Sequence, residues 1–207
     1  SGHATMEEFM GQSGTQQHLT AVHAVFGLGG CGSDVMPHVS KHAQAAGLNL
    51  QDVIFVDEAA CPPAANGRRA MSFSDAVAEV GGRMRVSVAD AEPKTRQKLD
   101  LLVTDMGGTL LDVQAETASV ADTAEVGPGR IVLDHVTIKS DTMIGRCFLA
   151  DHHASIGHNC VIEDYVTFSP HSCCKGHVHI GDRVFVGAGA LIRGGSAAAP
   201  IRIGSDA

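Results

Sequence analysis

The sequence predicts a small α/β unit followed by a parallel β-helix, and three observations carry that expectation. From Val120, steps of six give Val120, Val126, Val132, Ile138, Ile144, Ala150, Ile156, Ile162, Phe168, Cys174, Ile180, Val186 and Ile192 without a slip. A second set, four residues after each beat, is mostly small or β-branched (Val136, Ala154, Cys160, Val166, Val178), and Gly145, Gly157, Gly181 and Gly187 directly follow beat residues. Ahead of residue 118 the texture differs: short apolar strands alternate with a glycine turn and helical segments. An amphipathic helix would repeat at about 3.6 and a simple strand at 2. A sustained six-residue beat marks a β-helix, in which each hexad makes a strand and a corner and three hexads close one triangular coil.

Composition agrees. The chain has 207 residues, no Trp, 4% aromatics and 24 glycines, which suits a tightly turned, repetitive backbone. A formal net charge of -8 gives no electrostatic reason to bind nucleic acid or an anionic membrane. No apolar run approaches the roughly 20 residues that span a bilayer. Residues 1–20 lack the basic head and apolar stretch of a secretory signal, and their opening "SGHATM" reads as a tag or disordered leader. The six cysteines contain no CxxC and no disulfide framework, so they are expected to be reduced thiols of a cytoplasmic protein.

In residues 21–117, "AVHAVF" is the first expected strand and "GLGGCG" the turn after it. The following helix is expected to start at Ser33, with Val35, Met36 and Val39 on its apolar face. "DVIFVDE" and "MRVSVAD" read as further strands, and "PKTRQKLDLLVTDMGG" as a helix ended by Gly107 and Gly108. The order strand, helix, strand predicts a Rossmann-like parallel βαβ unit. Gly27, Gly29, Gly30 and Gly32 lead into a helix N-terminus that can accept phosphate, although the same pattern serves a plain tight turn. Asp57 and Glu58 close the second strand, where they can hydrogen-bond a ribose or a base. Arg96, near Asp90, reads either as a phosphate contact or as a solvated helix charge.

Residues 118–207 hold the hexads. His158 falls two residues past the beat residue Ile156, at a corner rather than in the interior, and Gly176, eighteen residues on, lies one coil above it on the same corner.

With these residues in view the chain resembles the bacterial sugar O-/N-acyltransferase family of the hexapeptide-repeat superfamily, which includes sialic-acid O-acetyltransferases and nucleotide-4-amino-sugar N-acetyltransferases. "VFGLGGCG" with "FVDE" resembles the family's nucleotide-sugar unit, and "IGHNCVIEDYVTFSP" with "KGHVHIGDRVFVGAGALI" its catalytic and acetyl-CoA segments. The resemblance runs from about Val22 to Ile192. It implies a left-handed β-helix, acetyl-CoA as co-substrate, no metal, and a homotrimer with active sites between subunits. It makes His158 the general base, Gly176 the N–H donor to the thioester carbonyl, and Gly187 and Ala188 part of the acetyl-CoA groove. Two departures stand out. Asn159 occupies the place where relatives often carry an acid, and Thr167 the place where some carry a second histidine; its hydroxyl is expected to touch acetyl-CoA.

The function implied is N-acetylation of a nucleotide-linked 4-amino sugar by direct transfer. The alternatives are O-acetylation of a sugar such as sialic acid, and a zinc hydratase built on the same β-helix. The last rests on His135, His153 and His171, which lie eighteen apart and are expected to stack on one face. Coils about 4.8 Å apart close a tetrahedron poorly, so a bland ladder or part of the acceptor pocket is the plainer expectation. The closing "IRIGSDA" stops where the resemblance implies further coils and a cap.

Overall fold

The computed structural model describes residues 22–59 and 61–207; the expected leader, 1–20, lies outside them. The α/β unit runs β1 (Val22–Phe26), α1 (Gly30–Ala45), β2 (Val53–Asp57), β3 (Ala64–Ala65), β4 (Arg68–Ser72), α2 (Phe73–Val80), β5 (Met84–Val88), α3 (Pro93–Asp105) and β6 (Thr109–Leu110). Its sheet has the order β3-β4-β2-β1-β5-β6. All neighbours are parallel except β3 and β4. β1 is buried along its whole length, as a central parallel strand must be. The helix expected from Ser33 begins three residues earlier, at Gly30, with Gly29 at its N-cap. Ser33 instead turns its hydroxyl back to the Gly29 carbonyl at 3.0 Å. The β3–β4 hairpin and α2, which Ser72 caps by accepting from the Asp75 N–H at 3.1 Å, were not evident from the apolar pattern.

The hexads wind into three five-stranded parallel faces of a left-handed β-helix. The first face holds Val113–Gln114, Ile131–Val132, Leu149–Ala150, Thr167–Phe168 and Phe185–Val186. The second holds Ser119–Val120, Thr137–Ile138, Ser155–Ile156, Cys173–Cys174 and Leu191–Ile192. The third holds Glu125–Val126, Met143–Ile144, Val161–Ile162, Val178–Ile180 and Ile201–Ile203. Pairing joins residues eighteen apart, as in Ile131↔Leu149, Thr137↔Ser155 and Met143↔Val161. The last pairing, Ile180↔Ile203, skips twenty-three (203 − 180), so five extra residues precede the final strand. They form a turn closed by a Ser196–Ala199 bridge.

Beat residues and their partners fill the prism: Ile138, Phe148, Ile156, Val166 and Phe168 are all buried in one cluster. Burying an aliphatic or aromatic side chain of this size contributes about 1.5–3 kcal/mol. Every sixth residue from His135 to Arg183 has a left-handed backbone (φ 59° at His135, 54° at Asn159, 57° at His177), which makes the corners. Asn, Asp and His tolerate that region best among non-glycine residues. Six of these nine corner residues are His, Asp or Asn, so the residue types that interrupt the apolar beat at Asn159 and His177 are ones that let the chain turn.

The first face is covered by the α/β unit. Val113, Ile131 and Leu149 share a buried cluster with Val35, Val39 and Phe55, and the first coil strand accordingly starts ahead of residue 118, at Val113. Arg96 locks this contact, and both expectations for it fail. It is 0% exposed and donates to the carbonyls of Asp90 (2.7 Å), Cys147 (2.8 Å) and Tyr165 (2.7 Å), so no phosphate and no solvent meets it. Burial lowers its pKa to about 10. Beside it, buried Asp100 receives Arg146 and the Tyr165 hydroxyl (2.8 Å). Burial pushes the Asp100 carboxyl up, but the hydrogen bonds from Arg146 and Tyr165 outweigh it and hold the carboxyl below its ordinary range.

Candidate active site

The site is built at the corner between the second and third faces. Successive coils stack there in register: His177 N–H donates to His158 O at 3.0 Å, and Gly195 N–H to Gly176 O at 3.1 Å. The interior holds the corner from within. Buried Thr142 gives its hydroxyl to Gly157 O at 2.8 Å, and the Cys160 and Cys174 thiols point at Lys175 O, at 3.2 and 3.4 Å. The Lys175–Gly176 peptide is trans, as are all described peptides. Its N–H therefore points opposite to that inward carbonyl, toward the outside of the corner. Among the described residues this N–H has no partner.

His158 stands exposed on that outside. Its Nδ1 lies 2.8 Å from Asn159 Oδ1. A carboxamide oxygen only accepts, so Nδ1 donates in this contact, which in the neutral ring leaves the lone pair on Nε2. The ring lies over Gly176: a Cβ there would sit 2.6 Å from Cε1 and 2.7 Å from Nε2. On another side His177 meets it edge-on, with ring centroids 5.2 Å apart at 89°. An imidazole thus sits beside an unpaired, outward N–H, an arrangement suited to taking a proton and facing a developing oxyanion.

The other expected site residues fall elsewhere. Thr167 does not join His158. It sits in the first face, buried, with its hydroxyl donated to Ala91 O at 2.8 Å, so it is unavailable to acetyl-CoA in this fold. Gly187 and exposed Ala188 lie on the corner between the first and second faces, across the second face from His158. A Cβ on Gly187 would meet nothing within 4 Å.

In the α/β unit the turn after β1, the end of β2 and the loop after β5 meet at the C-terminal ends of the sheet's inner strands. Gly27 N–H donates to Val56 O and Ala89 N–H to Phe26 O, both at 2.9 Å. Gly27 has a φ of 119°, and a Cβ there would be 2.8 Å from Ala89 O. Gly32 lets α1 pack on the Gly27 carbonyl. Gly29 and Gly30 are different: both are exposed, and a Cβ on either would meet nothing within 4 Å, so protein packing does not require glycine there. Close approach of a ligand phosphate to the start of α1 would. Asp57 accepts from the Glu58 N–H at 2.7 Å, and Glu58 pairs with Lys98 at 2.7 Å.

The histidine ladder is real but stands on a corner rather than a face. His135 and His153 stack at 4.9 Å, His153 and His171 at 4.8 Å. Rings stacked in parallel do not converge on a point, and among the described residues no group of three His, Cys, Asp or Glu can hold a metal ion. Nor is any described helix long and apolar enough to cross a membrane.

The chain is 30% identical over 184 residues to GDP-perosamine N-acetyltransferase of Escherichia coli O157:H7, covering 89% of this chain and 83% of that protein. The chain belongs to the bacterial nucleotide-amino-sugar acetyltransferases of the hexapeptide-repeat family. Among solved structures, WeeI from Acinetobacter baumannii AYE superposes with a TM-score of 0.85 at 32% identity, over 89% of this chain and 86% of that one. A histidine-to-asparagine mutant of perosamine N-acetyltransferase from Caulobacter crescentus, in complex with CoA and GDP-perosamine, gives a TM-score of 0.73 at 25% identity, over 89% and 83% of the two chains. No protein-family model matches the chain. The acetyltransferase is thus an enzyme whose relatives share both of its parts in the same order. Reading the sequence alone missed His177 at the site; adding eighteen to Asn159 finds it.

Proposed function

We propose that this acetyltransferase transfers the acetyl group of acetyl-CoA to the amine of a nucleotide-linked 4-amino sugar, with GDP-perosamine the first candidate. The observation that carries the proposal is the outward Gly176 N–H beside the His158 ring, oriented by Asn159. The amine attacks the thioester carbonyl, and His158 Nε2 takes the proton the nitrogen loses. The Gly176 N–H faces the oxygen on which negative charge develops. The tetrahedral intermediate collapses, the carbon–sulfur bond breaks, and the imidazolium returns its proton to the departing thiolate. No acyl-enzyme is needed.

The acceptor's diphosphate is placed at Gly29 and Gly30, with Asp57 and Glu58 toward ribose or base. The relatives' names support an amine over a hydroxyl: both the Escherichia coli and the Caulobacter proteins are named N-acetyltransferases, and the latter was solved with CoA and GDP-perosamine. A single exposed corner cannot shield a thioester from water, so the enzyme is read as a homotrimer in which a neighbouring prism closes the site. Gly187 and Ala188 would enter the acetyl-CoA groove through that neighbour. The setting is the cytoplasm, where acetyl-CoA and nucleotide sugars meet.

The test is acetyl transfer, followed by thiol release, against a panel of UDP-, GDP- and dTDP-4-amino sugars. Turnover with a GDP-linked 4-amino sugar is expected. Absence of transfer to every member, with sialic acid acetylated instead, would replace the amine by a hydroxyl as the acceptor.

A further inference from the structure

His177 takes no part in the chemistry above, yet it is the side chain that meets the His158 ring edge-on. It belongs to a column of left-handed corner residues, Asp141 (φ 56°), Asn159 (φ 54°) and His177 (φ 57°), each eighteen residues from the last. Its place is fixed from both sides: its N–H donates to His158 O at 3.0 Å, and its own carbonyl accepts from Ile201 N–H at 3.1 Å. The extra turn before the last strand seats on it, because a Cβ on Gly195 would lie 2.8 Å from His177 O. The backbone of His177 is thus clamped between coils, and its ring sits 5.2 Å from that of His158 at 89°.

We propose that His177 is a positioning residue for His158. With Gly176 beneath the ring and Asn159 at Nδ1, the His177 edge limits rotation of the imidazole and aims Nε2.

This inference rests on His158 being the base, and the experiment separates the two. His158→Ala, His177→Ala and His177→Phe are compared by kcat, by KM for acetyl-CoA and for the nucleotide sugar, and by thermal midpoint. Tyr165, at φ 60°, shows that an aromatic ring fits the left-handed corner position. The expected result is that His177→Ala loses roughly tenfold or more in kcat through misaiming of the base with KM little changed, and that His177→Phe recovers most of it. If His158→Ala is inactive but both His177 variants keep the wild-type kcat, the inference is wrong while the base stands. If kcat falls equally in both, with lowered thermal stability and no rescue by Phe, His177 is structural and the inference is again overturned. If His158→Ala turns over like wild type, the reading of the base itself fails.

Discussion

Gly176 lies directly under the imidazole of His158, so close that a Cβ on the glycine would sit 2.6 Å from Cε1 and 2.7 Å from Nε2. Gly176→Ala should therefore displace the ring. The ring is on an exposed side chain and can swing outward, so folding should be spared. We expect kcat to fall on the order of 10²-fold, the effect of misplacing a catalytic group by about an ångström, with the thermal midpoint nearly unchanged. A fully active Gly176→Ala enzyme would mean that His158 does not work from this position.

Removing the imidazole itself should cost more. His158→Ala should reduce kcat by roughly 10²–10⁴-fold, the usual range for a general base. His158 is exposed at a corner, so no interior cavity forms. Circular dichroism would confirm the fold, and turnover near the wild-type rate would sink the mechanism.

Substitution at the C-terminal end of β2 should separate the two substrates. Asp57→Ala should raise KM for the nucleotide sugar and leave KM for acetyl-CoA alone. Glu58→Ala should do the same more weakly, because Glu58 already pairs with Lys98. A selective rise in the acetyl-CoA KM would show that the two halves have been assigned the wrong way round.

Sedimentation should give a trimer. Ala188→Glu, at an exposed position, should weaken acetyl-CoA binding more than nucleotide-sugar binding. A fully active monomer would refute the shared site.

The joint between the two parts should be sensitive to acid and to truncation. Arg96→Ala strips the buried carbonyls of Cys147 and Tyr165 of their donor, at about 1–3 kcal/mol for each unsatisfied group, which denaturant unfolding would measure. The Asp100 carboxyl is held below its ordinary range in the fold. Its contribution is present above the unfolded-state pKa and is lost as pH falls through the lower folded value. Asp100→Asn should therefore flatten the acid edge of the stability profile; an unchanged edge would assign acid unfolding to other groups.

How far the sequence reached depends on the range of the interaction. The coil period is set by local covalent repetition, so adding eighteen to a residue number places Gly176 over His158, and His177 over Asn159. The glycine turn and the strand ends of the α/β unit were legible for the same reason: each is a local backbone requirement. Where side chains meet across the joint, number patterns carried no information. Arg96 read as a surface or phosphate-binding charge because nothing near it in the chain indicates the carbonyls of Cys147 and Tyr165, fifty-one and sixty-nine residues away. Thr167 read as a cofactor contact because its partner, Ala91, is seventy-six residues distant. The sequence by itself determined the prism, its corners and the column that holds His158. Only the tertiary structure decided which corner stays open and which face is covered, because docking the α/β unit on the first face buries one set of outward side chains and leaves His158 facing solvent.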